Sequence, residues 1–471
     1  MLTISPRLTK PALILSPREA IHMRPSLSRR SQRPTCVFPL MLFTVFVCLA
    51  LAGPAAAENS GRASPSAIGK NASAPGSLFR QDEPGRKTWS PVSTDRSLSS
   101  GAHLMALPGG RAEIDTSAGV RLTLWGNVPE LSRVPVMESV IRFNPKAAAD
   151  VDLTLERGRI LLSNRSKKTP AVRVASDLGE LEVTLNDPES EVALELYSRW
   201  PPGVPFTLRN SSDAPTTFMA VHVLKGDASL KVGLNHYLMR PPPGPCYFHW
   251  DTDTGIDLGP RKRAHLPEWA EPDALKTPEA KKVQAAYQRL ARQIASRPLA
   301  PALNHSRDSS DAEERRLAVY ALGAIDDLPD ILDALGDSKQ AEAREAAIEA
   351  LRNWIGRAPT KDRELYHFLV DQRRYTAGQA EIVLQLLHGL GNEARNRADT
   401  YETLIPYLQS SKSPVRALAS WYLYRWVPGA EQEIPYNPAG SEAERQKAYQ
   451  AWSNRLKEGK LPPKSAPEEH K

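Results

Sequence analysis

At 471 residues, with 41% hydrophobic side chains, the chain is long enough for two or three domains with packed cores. The formal charge is +7, but seven Lys/Arg and a single acid lie in residues 1–57, leaving 54 basic against 53 acidic residues beyond them, a net of +1. That balance excludes the strong positive field that gathers nucleic-acid phosphates.

The basic residues of the first segment precede the apolar run 38–57, Phe-Pro-Leu-Met-Leu-Phe-Thr-Val-Phe-Val-Cys-Leu-Ala-Leu-Ala-Gly-Pro-Ala-Ala-Ala. Basic, apolar and small-residue stretches in that order predict a secretory signal over 1–57, cut after Ala57. A run of this length also suits a single inner-membrane anchor. The long basic lead leaves Met23 as a second candidate start. Either way the chain is expected to be exported, to the periplasm or cell envelope of a bacterium. Of Cys36, Cys48 and Cys246, only Cys246 survives the cut, so no disulfide is expected within the mature chain.

Residues 58–100 are rich in Ser, Gly, Pro and charge, and read as a disordered linker. From 101 to 236 the chain alternates with period two, as in Arg121–Trp125, Val151–Leu155, Ala171–Ala175, Leu181–Leu185 and Glu191–Leu196. Gly109-Gly110, Gly119, Gly158, Gly179 and Asn186-Asp187-Pro188 punctuate the runs. This predicts an all-β sandwich or open barrel of short antiparallel strands. Residues 237–276 read as a Pro-rich connector, pinned by Phe248, Trp250 and Trp269. Residues 277–465 read as helices, ahead of a short tail, 466–471. Thr277-Pro278 predicts a helix start, and Ser310–Glu313 and Ser441–Glu444 have capping-box spacing.

Within the helices Arg-x-x-Ala-x-x-x-Leu recurs at Arg315/Ala318/Leu322, Arg344/Ala347/Leu351 and Arg416/Ala419/Leu423. Offsets of three and seven place the Ala and Leu on one helix face. The small Ala is expected where a neighbouring helix approaches closely, whereas Ala343 is expected at a polar helix start. The two later copies follow Leu332-Asp-Ala-Leu335 and Ile405-Pro-Tyr-Leu408, each with a short polar loop. This order resembles HEAT-type repeats, and implies an all-α HEAT-like solenoid over roughly 310–428; an ordinary helical bundle is the alternative. The recurring Arg side chains suit either a basic ladder on a binding surface or ties between neighbouring repeats.

The β segments resemble the periplasmic domain of FecR-like regulators through Leu107–Ile114, Val120–Leu124, Val151–Leu162, Ala171–Val183 and Glu191–Glu195. Two departures stand out. Asn186-Asp187-Pro188 stands where the family carries Gly-Thr, and only residues 1–37 precede the apolar run, where the family has a sigma-factor-binding helical segment. The resemblance therefore implies the FecR-like fold more than sigma-factor control.

No phosphate loop, G-x-S-x-G, H-E-x-x-H or paired C-x-x-C occurs, so no catalytic, cofactor or metal residue is nominated and no cofactor is expected. Asp251-Thr-Asp253-Thr-Gly255 has oxygen ligands at calcium-like spacing, but Gly falls at position five and Lys262 at twelve; an Asp/Thr/Gly turn fits better. His249, between Phe248 and Trp250, reads as a structural histidine. His222 is expected on the outer sheet face, and Glu180, Glu182, Glu189, Glu191 and Glu195 on a solvated one. The expectation is an exported, non-catalytic binding or scaffold protein with an envelope protein as partner. A membrane-anchored FecR-type regulator is one alternative, and an envelope enzyme acting on polysaccharide another.

Overall fold

A computed structural model describes residues 67–83, 88–145, 148–208, 213–256, 259–337 and 339–463. The signal or anchor at 1–57, its cut and the tail at 466–471 lie outside the described residues. The strands are β1 (Ala67–Asn71), β2 (Phe79–Gln81), β3 (Trp89–Pro91), β4 (Ser97–Ser99), β5 (His103–Ala106), β6 (Arg111–Thr116), β7 (Val120–Trp125), β8 (Ser139–Phe143), β9 (Val151–Asn164), β10 (Ala171–Ser176), β11 (Gly179–Leu185), β12 (Glu191–Arg199), β13 (Thr216–Lys225), β14 (Ala228–Val232), β15 (Asn235–Met239), β16 (Pro245–Asp251), β17 (Gly255–Ile256) and β18 (Arg261–Lys262). Pairing is antiparallel apart from β9 with β10.

Alternation builds the β core. β6 and β7 point Ala112, Ile114, Val120, Leu122 and Leu124 inward, and β10 and β11 add Val172, Val174, Leu181 and Val183. β9 runs through both layers. Its first half pairs with β8 and β10, and its second half with β7 and β12. The bend falls at Gly158 (φ +109°), where a Cβ would lie 2.3 Å from Ser139 Cα. Only glycine takes that conformation and that approach.

Two segment expectations need correction. Residues 67–83 and 88–100, placed in a disordered linker, form β1–β4. They have few apolar residues, but those count: Leu78, Phe79, Val92 and Leu98 are buried, and buried Asn71 donates to Val92 O and Ser93 O at 3.0 and 3.1 Å. Residues 237–276 are likewise more than a connector. β16 pairs with β13 and sends Phe248 and Trp250 into the sheet core, so the prolines sit at strand ends and turns instead of unstructuring the segment.

The helices are α1 (Pro278–Ser296), α2 (Leu299–Arg307), α3 (Ala312–Ala324), α4 (Leu328–Leu335), α5 (Ala341–Gly356), α6 (Lys361–His367), α7 (Ala377–His388), α8 (Ala398–Tyr407), α9 (Ser413–Trp426), α10 (Ala430–Glu433) and α11 (Glu442–Lys457). Thr277 caps α1 by accepting from Ala280 N, and Ser441 and Glu444 form a reciprocal box on α11. At α3 the cap is Asp311, one residue after the expected Ser310, and its carboxylate accepts from Glu314 N. α2 packs on α3, α4 on α5 and α8 on α9; α3 also packs on α5, and α7 on α9.

Ala347 and Ala419 are fully buried, as close helix approach requires. Ala343 is buried as well, so it does not lie on a polar helix start. The three repeat arginines share one structural role. Arg315 Nη1 donates to Ser309 O at 2.5 Å, Arg344 Nη1 to Asp337 O at 2.9 Å and Arg416 Nη1 to Ser410 O at 2.6 Å. Each ties its helix to the loop before it. Arg315 and Arg416 also reach the next segment, at Glu342 and Pro438 O. They form ties, not a ladder open to a ligand.

The β and α segments share a core. Phe79, Met105, Leu107, Val128, Met137, Val140 and Trp200 pack in the same apolar cluster as Val283, Tyr287, Leu317, Leu351 and Trp354. All described residues fall within one compact unit, Ala63–Lys471.

Candidate functional site

The seam between strands and helices begins with a close approach. Gly356 ends α5 where a Cβ would meet Ser198 O at 2.6 Å, so backbone touches backbone. Beside it Trp200 Nε1 donates to Ile355 O at 3.1 Å. The Trp200 indole stacks on the His388 ring, 4.3 Å between centroids and 12° from parallel. From the other side, the loop between β7 and β8 is shaped by Asn127, whose buried amide donates to Ser132 O, Val134 O and Val136 O. That loop then accepts at Pro135 O from Asn353 Nδ2, 3.2 Å away.

Two adjacent cavities lie along this seam. The smaller, about 270 Å³, sits over the β9 bend. Its wall holds a charge cluster. Glu138, 1% exposed, is bound by Arg157 and by Arg357 at 2.7 Å, and Arg357 reaches Asp326 at 2.8 Å. Burial alone would raise the Glu138 carboxyl, but Arg357 and Arg157 outweigh it and hold the group below the usual carboxylate range. Glu156 is treated the same way: burial opposes its charge, yet the His103 hydrogen bond, with Arg157 and Arg142, draws its pKa down to about 2.

The larger cavity, about 520 Å³, shares Pro135, Val136, Met137, Ser198 and Asn353 with the first. It is lined by Arg133, Arg199, Arg352 and Arg425, with Glu349 as its one acid. Arg425 lies 3.8 Å from Glu349. Arg352 donates to Tyr422 Oη at 3.1 Å and lies 5.6 Å from the Trp421 ring, and Arg199 lies over Phe218. Among the described residues, Arg133, Arg199 and Arg352 have no carboxylate within ion-pairing distance. A guanidinium fork presents fixed donors suited to carboxylate and phosphate oxygens.

The residues singled out in the sequence lie elsewhere. Asp251 Oδ1 accepts from Asp253 N and Thr254 N, and Thr216 donates to Asp253 Oδ2; these carboxylates close the β16–β17 turn. Among the described residues no cluster of three or more potential metal ligands occurs. His249 stacks between Tyr247 and Phe218 on the outer sheet face. Cys246 is buried, and strand alternation turns it to the opposite face from His222. Glu180 and Glu189 are exposed and paired with Arg173 and Lys225. His222 is on the outer face, but that face is not solvated there: His222 and Glu195 are both buried under Trp269. The seam arginines were missed because they come from four distant segments. The one local trace was the unbroken apolar run Leu104–Leu107, which marks a strand covered on both faces.

No family model and no curated protein matches the chain. Two solved structures match part of it, crystal structures at 1.65 and 2.50 Å of a "putative anti-sigma factor" from Parabacteroides distasonis. They are 11% and 12% identical, cover 34% and 36% of this chain, and give TM-scores of 0.22 and 0.24. The chain spans 58% and 64% of their lengths, less than two thirds of either. Among the described residues no helix is long and apolar enough to cross a membrane.

Proposed function

We propose that this chain is an exported, non-catalytic binding protein of the cell envelope, and that the seam cleft recognises an anionic ligand. One observation carries the reading: Arg133, Arg199 and Arg352 line a cavity of about 520 Å³ without a carboxylate partner among the described residues, while Arg157 and Arg357 in the cluster next door are ion-paired to Glu138 and Asp326. Arginines kept unpaired around a concave surface favour an incoming anion over an internal tie. The FecR-like and HEAT-like resemblances belong to this reading as the scaffold on either side of the cleft.

The test is calorimetric titration of the full chain with polyglutamate, polygalacturonate and polyphosphate. At least one should bind, weaken with added salt, and weaken roughly tenfold in the combined variant Arg133→Gln, Arg199→Gln, Arg352→Gln. Equal binding by the variant, or no binding of any of the three, would sink the reading.

A further inference from the structure

A second cluster of buried charge lies far from the seam in kind. Four strands set one row across the outer sheet face: Arg111 on β6 opposes Trp125 on β7, Trp125 opposes Arg159 on β9, and Arg159 opposes Glu195 on β12. The Arg111 guanidinium lies 3.3 Å from the centre of the Trp125 ring. The Arg159 side chain is fully buried and donates through Nε to Glu195 Oε1 at 2.6 Å. His222 Nε2 stands 3.5 Å from Glu195 Oε2, beyond a good hydrogen bond. Glu195 is thus the one carboxylate hydrogen-bonded within the row, while Glu113 and Glu191 act on Arg111 only through space.

The cluster's donors are not used up. Arg159 Nη1 and Nη2, Arg111 Nη2 and His222 Nε2 are buried with no hydrogen-bond partner. A buried charged donor without an acceptor is costly, more so than a neutral one. Burial draws Arg111 down to about 10 and lowers Arg159 as well.

What covers the row is a strap, residues 263–277, between β18 and α1. Its one buried side chain is Trp269, whose ring lies 3.9 Å from the Arg159 guanidinium and edge-on to Trp125 at 5.3 Å. The strap's backbone hydrogen bonds close on themselves, as Ala270 N to Pro267 O, Glu271 N to Glu268 O and Ala274 N to Glu271 O. Among the described residues, none joins 264–275 to the sheet. The indole excludes water and offers an aromatic face to the cation, but its N–H is a donor and can satisfy no guanidinium. Around the ring Glu268, Glu271 and Asp273 are exposed, Asp273 paired with Lys276 at 2.8 Å.

We propose that this row is a covered seat for an acidic, aromatic peptide segment of a partner protein, and that the strap is its internal stand-in. Such a segment places a ring where Trp269 sits and brings a carboxylate to the Arg159 and Arg111 Nη donors that have no acceptor. The ring explains the stacking; held at both ends by β18 and α1, the strap keeps Glu268, Glu271 and Asp273 at the surface, whereas a free segment of the same chemistry can turn a carboxylate in to the guanidiniums.

The probe is a fluorescein-labelled peptide of the strap's own sequence, Ala264–Leu275, with two altered forms, Trp→Ala and all acids→amides. It is titrated by fluorescence anisotropy against the full chain, against Trp269→Ala, and against a chain with 264–275 replaced by a Gly/Ser linker of equal length. Either strap-released chain should bind the peptide at least roughly tenfold more tightly than the unaltered chain. Both altered peptides should lose that gain, and Arg111→Gln in the strap-released chain should lose most of it. A released chain that melts cooperatively yet binds no better would overturn the proposal. So would equal binding of the amide peptide, which would make the seat merely apolar. Failure of both released chains to fold would also overturn it, since a strap that cannot leave cannot yield its seat.

Discussion

Replacing Glu138 by Gln removes one charge without changing side-chain shape, so its effect isolates the seam's electrostatics. Glu138 is 1% exposed and bound by Arg157 and Arg357, whose side chains are 25% and 11% exposed. Breaking a buried pair and leaving the partner cation behind costs about 3–5 kcal/mol. Partial exposure of the two arginines lets water recover some of that, which places the expected loss near the lower end, about 3 kcal/mol. A cooperative unit of about 400 residues unfolds with an entropy near 0.8 kcal/mol/K, so the melting temperature should fall by about 4 °C. Differential scanning calorimetry of the full chain reads this directly. Glu189→Gln, which breaks the exposed pair with Lys225, should leave the melt in place. A Glu138→Gln melt within about 1 °C of the unaltered chain would refute the reasoning. So would two separate transitions of which only one moves, because strands and helices that share one core should melt as one cooperative unit.

The same carboxylates set the response to acid. Glu138, Glu156 and Glu195 are all held below their ordinary value of 4.5, so the unfolded chain binds more protons as they titrate. Their stabilisation is complete above about 4.5 and is lost as the pH falls towards the folded values, about 2 for Glu156; melts at pH 7, 5, 4 and 3 should stay level to pH 5 and then drop steeply. In the helices, Ala347→Leu and Ala419→Leu should each cost about 1–3 kcal/mol by overpacking, whereas Ala341→Leu, at an exposed position in the first turn of α5, should be nearly neutral because Ala and Leu are both good helix formers. Chemical denaturation of the three variants decides it, and equal small effects would mean that no helix approaches closely at Ala347 or Ala419.

The sequence pattern carried the order of elements well and their boundaries poorly. Period-two runs from Arg121 to Leu196 lie in strands, and the helices begin at Thr277, because alternation and capping are local signals. Residues 67–100 were lost to composition. A strand such as Phe79–Gln81 contributes one buried phenylalanine and stands by pairing with β3 and β5, contacts that a local reading of Ser, Gly and Pro cannot register. Glu195 was misread for a related reason, and the cover over His222 left no trace. Alternation places them on the outer face, but whether that face meets water depends on where residues 263–277 run, and Trp269 carries no periodic mark of its own.

The seam lay beyond such reading for a deeper reason. Arg133 and Arg199 arrive from the β segment and Arg352 and Arg425 from α5 and α9, so the cleft has no sequence neighbourhood. Its geometry is set instead by three fixed approaches: the backbone contact at Gly356, the Trp200 hydrogen bond to Ile355 O and the Glu138 cluster. Each joins a strand or strand loop to α5. A helix tied at three points over its last turns cannot shift against the sheet without breaking a buried hydrogen bond or a buried ion pair. The backbone segments that carry Arg199 and Arg352 therefore keep their spacing without a ligand, so a ligand that matches it has to order the arginine side chains but not the frame that carries them.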